Sequence, residues 1–119
     1  MRQLLASIFT LLLTAAIALG LDAETKAEID ELITYVQTSG VRFIRNGLEY
    51  SGAEGAKHVR DKRAKAGDRV KTTEDFITGI ASKSFLSCKP YLVKFADGHT
   101  QSTGEWLRAH LAEVRENKR

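Results

Sequence analysis

Val41-Arg42-Phe43-Ile44-Arg45-Asn46-Gly47-Leu48-Glu49-Tyr50-Ser51 reads as a β-hairpin that runs directly into a helix start. Asn46-Gly47 suits a two-residue turn, because both turn positions need positive φ. That turn fixes the register. Phe43 opposes Tyr50 and Arg45 opposes Leu48 on one face, while Arg42, Ile44 and Glu49 point to the other. Ser51 and Glu54 then form a capping box, each side chain accepting from the other's free backbone N–H. The helix they open runs to about Ala66 and stops at Gly67.

The same signals repeat on both sides. Upstream, Thr25 and Glu28 carry capping-box spacing, and Ile29, Leu32, Ile33 and Val36 form one amphipathic stripe that ends at Ser39-Gly40. Downstream, Thr72 with Glu74 and Asp75 marks a helix whose buried face is Phe76, Ile77 and Ile80. Ser82 to Pro90 is a serine-rich loop. Tyr91 to Phe95 alternates as a strand, Asp97-Gly98 is a second hairpin turn, and Ser102 with Glu105 spells a further capping box. The last helix carries Trp106, Leu107, Leu111 and Val114. The predicted order is α-ββ-α-α-ββ-α, a single α+β domain over residues 21–119. An echo is visible: Gly47 precedes Ser51 by four residues and Glu54 by seven, and Gly98 stands at the same intervals from Ser102 and Glu105. An ancient duplication could produce it, and so could the shared stereochemistry of a hairpin feeding a helix, which is the reading preferred without further matched positions.

At the start, Arg2 precedes an apolar or hydroxyl-bearing stretch from Leu4 to Leu19, followed by Ala18-Leu19-Gly20 and an abruptly polar sequence. This is the build of a cleaved signal peptide over residues 1–20, with the cut after Gly20 or Ala23. An uncleaved anchor is the alternative, but a spanning helix needs roughly 20 apolar residues and Ser7, Thr10 and Thr14 dilute this one. The expectation is a periplasmic protein with no membrane span once processed. Loss of Arg2 with the leader takes the 18 Lys plus Arg to seventeen, against 15 Asp plus Glu. So slim an excess gives no case for nucleic acid. Cys88 is the one cysteine, so no intramolecular disulfide is available and packing must supply the stability.

The strings Phe43-Ile44-Arg45-Asn46-Gly47, His58-Val59, Thr73-Glu74-Asp75-Phe76-Ile77, Ile80-Ala81-Ser82 and Lys89-Pro90-Tyr91-Leu92-Val93 together resemble the YfeK-like family. These are uncharacterised, small, exported proteins of Gram-negative bacteria. The likeness runs from about Ile29 to Leu111 and implies a periplasmic home; it implies no activity. Where the family resembles Ser-Gly-Lys-Pro-Tyr, this chain has Ser87-Cys88-Lys89-Pro90-Tyr91. A position that resembles glycine elsewhere is a poor place for an obligatory thiol.

No site of known chemistry is spelled out. The sequence has no Gly-x-Ser-x-Gly elbow, no His-Glu-x-x-His and no glycine-rich phosphate loop, so no catalytic residue, metal or cofactor is assigned. His99 sits beside a turn and His110 on the last helix's apolar stripe. The basic run Lys57 to Lys71 places His58, Lys62 and Lys65 on one helical face, with Arg60 and Arg63 near the apolar side, either snorkelling or paired with carboxylates. At the hairpin tip stand Arg42, Arg45 and Asn46; an arginine there can grip a carboxylate or phosphate bidentately. These six residues, Arg42, Arg45, Asn46, His58, Lys62 and Lys65, are the binding candidates. Their partner would be an envelope protein or an anionic envelope component. The rival readings are a hydrolase using His58, Cys88 or the Ser82–Ser87 loop, and a structural or stress-related envelope protein without a ligand. Oligomeric state is open.

Overall fold

The computed structural model describes residues 23–119; the signal-peptide reading falls on residues outside these. Helix α1 covers residues 23–38, and Gly40 at φ +83° turns the chain out of it. Strands β1 (Arg42–Arg45) and β2 (Leu48–Tyr50) follow, then α2 (Gly52–Ala66) and a 3-10 turn, Gly67–Arg69. A short helix α3 (Thr73–Phe76) widens into a π-helical turn, Ile77–Ala81. Strands β3 (Leu92–Lys94) and β4 (Thr100–Ser102) lead into α4 (Thr103–Asn117). The α+β class holds.

The four strands form one antiparallel sheet in the order β2-β1-β3-β4. The hairpin register is the one the Asn-Gly turn dictates: Phe43 opposes Tyr50 and Arg45 opposes Leu48, with Asn46 at φ 51° and Gly47 at φ 80°. Phe43 opposes Val93 across the centre, so each hairpin contributes its first strand to the middle of the sheet. Phe43, Tyr91 and Val93 are buried on the face that carries the helices, together with Ile29, Leu32, Ile33 and Val36 from α1, Ala56 and Val59 from α2, and Trp106, Leu107 and Leu111 from α4. The opposite face carries an ion ladder, Glu49 bonding Lys94 at 2.8 Å and reaching Arg42 at 3.8 Å. Helix α2 lies close on β1 because Gly55 faces Phe43; a Cβ there would stand 2.6 Å from the Phe43 Cγ.

Two predicted caps are corrected. Helix α1 is already under way at residue 23, so Thr25 lies inside it and Glu28 forms no box with it. Glu28 is instead buried, 6% exposed, accepting from the Thr73 hydroxyl at 2.7 Å and from both Nε and Nη2 of Arg115, at 2.8 and 3.0 Å. The Arg115 guanidinium holds the Glu28 carboxyl below its usual range. At α4 only half the box forms: the Ser102 hydroxyl accepts from the Glu105 amide at 3.3 Å, and no return bond is made from Glu105. Ser102 still belongs to β4, so its backbone is committed to the sheet. The boxes at Ser51–Glu54 and Thr72–Asp75 are complete.

Candidate functional site

The start of α2 and the β1–β2 hairpin enclose a cleft of about 280 Å³ lined by Phe43, Arg45, Tyr50, Glu54, Lys57, His58 and Asp61. Strand alternation aims Arg45 at the helix side of the sheet, because it shares a face with Phe43. There its Nη1 lies 3.0 Å from the His58 Nδ1, and its guanidinium sits over the Tyr50 ring, 5.4 Å from the centroid. The carboxylates nearby are engaged elsewhere. Asp61 bonds Lys57 at 2.7 Å, Glu54 accepts from the Ser51 amide at 3.1 Å, and Glu49 bonds Lys94 at 2.8 Å. Arg45 is half-buried and has no carboxylate partner among the described residues.

Behind the cleft a polar chain continues inward. The His58 Nε2 is 3.1 Å from the Tyr91 hydroxyl, which also accepts from the Lys62 Nζ at 3.0 Å. Arginine can only donate, so the bond directions assign His58 as the neutral tautomer with its proton on Nε2. Burial, and then the charges of Arg45 and Lys62, push the His58 imidazole below its usual range. Burial raises the Tyr91 phenol. Lys62 is drawn inward rather than solvated. Its Nζ donates to the carbonyls of Ile80 at 2.8 Å and Lys83 at 3.0 Å, besides Tyr91, and lies 4.3 Å from the centroid of Phe85. Burial and the Arg45 charge lower it to about 8. At neutral pH it stays charged, and its three protons fill three acceptors.

The structure therefore divides the six candidates. Arg45 and His58 come together in the cleft. Lys62 backs them but spends its donors on Ile80 of the π-helical turn, Lys83 of the loop after it and Tyr91. Lys65 is exposed on the same helix, and Arg42 faces the other side of the sheet toward Glu49. Asn46 accepts from the Ser87 hydroxyl at 2.5 Å, joining the hairpin tip to the serine-rich loop. Of the two arginines near the apolar side of α2, Arg63 is paired with Asp30 at 2.9 Å and Arg60 reaches Gln37 at 3.4 Å. His110 stacks on Tyr35 at 3.6 Å and bonds Glu31 at 3.1 Å; His99 stacks on Phe95. Cys88 is exposed and borders a different cleft, with Ser82, Pro90 and Arg108, so no histidine activates it. Sequence reasoning missed Tyr50 and Tyr91. Tyr50 was visible as the partner of Phe43, two strand positions from the arginine's own pair and on the same face, whereas nothing local marks Tyr91 as the link between His58 and Lys62.

Among the described residues no helix is long and apolar enough to cross a membrane. Nor does any group of three or more His, Cys, Asp or Glu gather there as for a metal ion. No solved structure matches the chain significantly. The uncharacterized protein YfeK of Salmonella typhimurium (strain LT2) is 30% identical over 92 residues, 76% of this chain and 77% of that protein. Residues 23–115 match a family of unknown function, DUF5329, which takes in both hairpins, the Arg45–His58 cleft and nearly all of α4. The chain belongs to that family, DUF5329.

Proposed function

We propose that the protein is exported to the periplasm and works there as a binding module, holding an anionic group of an envelope component or partner in the cleft between the first hairpin and α2. One observation carries the reading: Arg45 is half-buried, oriented by neutral His58 and Tyr50, and has no carboxylate partner among the described residues. A guanidinium taken partly out of water without a counter-charge favours an incoming carboxylate or phosphate, which it can meet through two parallel N–H groups. His58 fixes the plane of that fork. Lys57 stands at the rim. Export is supported by the basic, apolar and small-residue order of residues 1–20.

The test is a ¹H–¹⁵N NMR titration of the folded domain with inorganic phosphate and, separately, acetate. Shifts confined to the Arg45 side chain, His58 and Tyr50 are expected, and they vanish in Arg45→Ala. Arg45→Lys weakens the effect about tenfold, since an ammonium cannot supply the planar fork. Shifts spread evenly over surface lysines, or unchanged in Arg45→Ala, refute the reading. For export, alkaline phosphatase fused to the C-terminus must be active in intact cells; a fusion that remains inactive refutes it.

A further inference from the structure

Three large apolar side chains are exposed among the described residues: Leu48 at 62%, Phe85 at 66% and Leu86 fully. All three lie at one end of the domain. Leu48 opens β2 directly after the Asn46-Gly47 turn, and Phe85-Leu86 forms the crest of the loop from Ser82 to Pro90. The Ser87–Asn46 hydrogen bond ties the two loops together. The crest is built rather than slack. Lys83 bridges Pro90, the Ser84 amide donates to the Lys89 carbonyl at 3.1 Å, the Cys88 amide donates to the Ser84 carbonyl at 3.0 Å, and Ser84 is buried. Phe85 and Leu86 are thus held outward by a closed turn.

Cations surround them. Lys83 and Lys89 flank the crest in sequence and are both exposed. The Lys62 ammonium lies over the Phe85 ring, and Arg45 opposes Leu48 in the hairpin. None of these four makes an ion pair among the described residues; the acids of this end, Glu49, Glu54 and Asp61, are taken by Lys94, the Ser51 amide and Lys57.

We infer that this end of the domain seats on the surface of an anionic lipid bilayer. Phe85 and Leu86 enter the boundary between headgroups and acyl chains, Leu48 follows at its edge, and Lys83 and Lys89 meet the lipid phosphates. The shape and the charge select this partner. An apolar crest of two adjacent residues on a narrow turn can slip between headgroups, whereas a specific protein interface needs roughly 800 Å² on each partner around an apolar centre. A second copy of the chain, meeting this surface by twofold symmetry, would set the four cations against their own equivalents. The inference does not depend on the cleft holding an anion, since it rests on the exposed crest and its flanking lysines.

The experiment is co-sedimentation of the folded domain, starting at Leu21, with vesicles of phosphatidylglycerol and phosphatidylcholine, and with phosphatidylcholine alone. Binding to the anionic vesicles is expected, weakening severalfold as salt rises from about 0.1 M to about 1 M, where the Debye length falls from about 10 to about 3 Å. Phe85→Ser with Leu86→Ser should lower the partition at least about tenfold at an unchanged melting temperature, because both residues are exposed and support no core. Lys83→Gln with Lys89→Gln should remove most of the salt dependence while leaving the residual apolar partition. Arg45→Ala separates the two readings: it abolishes phosphate shifts in the cleft yet leaves most vesicle binding. The inference is overturned by equal binding of the Phe85/Leu86 variant, by no preference for anionic vesicles, or by a dimer or protein complex that this variant abolishes while vesicles bind nothing.

Discussion

At the scale of single residues, two side chains are held in states their ordinary chemistry disfavours. His58 is kept neutral by burial and two neighbouring cations. The folded domain therefore resists protonation that the unfolded chain accepts near pH 6.5, and stability is present above that pH and declines as pH falls below it. His58→Gln, which preserves an acceptor for Arg45, should flatten the fall in urea midpoint between about pH 6.5 and 5 relative to wild type. A slope as steep as wild type would place the titrating group elsewhere. Cys88 occupies the left-handed region at φ 58°, where a Cβ costs about 1–2 kcal/mol. Glycine adopts this backbone conformation without that cost. Cys88→Gly should be neutral or stabilising by up to about 1 kcal/mol in chemical denaturation, the gain being trimmed by the greater freedom of glycine when unfolded. A loss of more than about 1 kcal/mol would mean the thiol does structural work.

Among elements, those with local grammar were legible. Asn46-Gly47 set the register of the first hairpin, and Ser51 and Thr72 opened their helices, because turn and cap chemistry acts within four residues. The failure at Thr25–Glu28 is instructive. The spacing matched a cap by coincidence, and the carboxylate was needed by residues 45 and 87 positions away, Thr73 and Arg115. Likewise Lys62 read as one of three residues on a single helical face and as a binding candidate; its three acceptors lie on segments that reach it only through the tertiary fold. Candidate-site residues on the hairpin could be named, but their joining with Tyr91 could not. The packing of α2 on β1 yields a sharp test. Alanine normally stabilises a helix interior over glycine by about 1 kcal/mol. At Gly55 the added carbon would meet both Cβ and Cγ of Phe43 at 2.7 and 2.6 Å, so Gly55→Ala should instead destabilise by about 1–3 kcal/mol, read as a lowered urea midpoint. A stabilised variant would show that helix and sheet can part without cost.

For the whole molecule, the buried carboxylate of Glu28 ties α1, α3 and α4 at one point. Removing it leaves the Thr73 hydroxyl and Arg115 without their acceptor. Glu28→Ala should cost about 2–3 kcal/mol in global unfolding, less than a fully buried pair because the Arg115 side chain is half exposed. Since that carboxyl titrates below its free value, the contribution is present above the unfolded pKa and lost as pH falls through the folded one. A wild-type midpoint for Glu28→Ala would refute it. The strand order β2-β1-β3-β4, with the first strand of each hairpin at the centre, has its own consequence. The central partners Phe43 and Val93 are fifty positions apart, so a chain emerging N-terminus first completes hairpin, turn and α2 long before the neighbour of β1 exists. During that interval β1 presents an open row of amides and carbonyls beside the apolar Phe43. Two nascent copies that met then could each lend the missing strand to the other, giving intertwined pairs whose yield climbs with expression level.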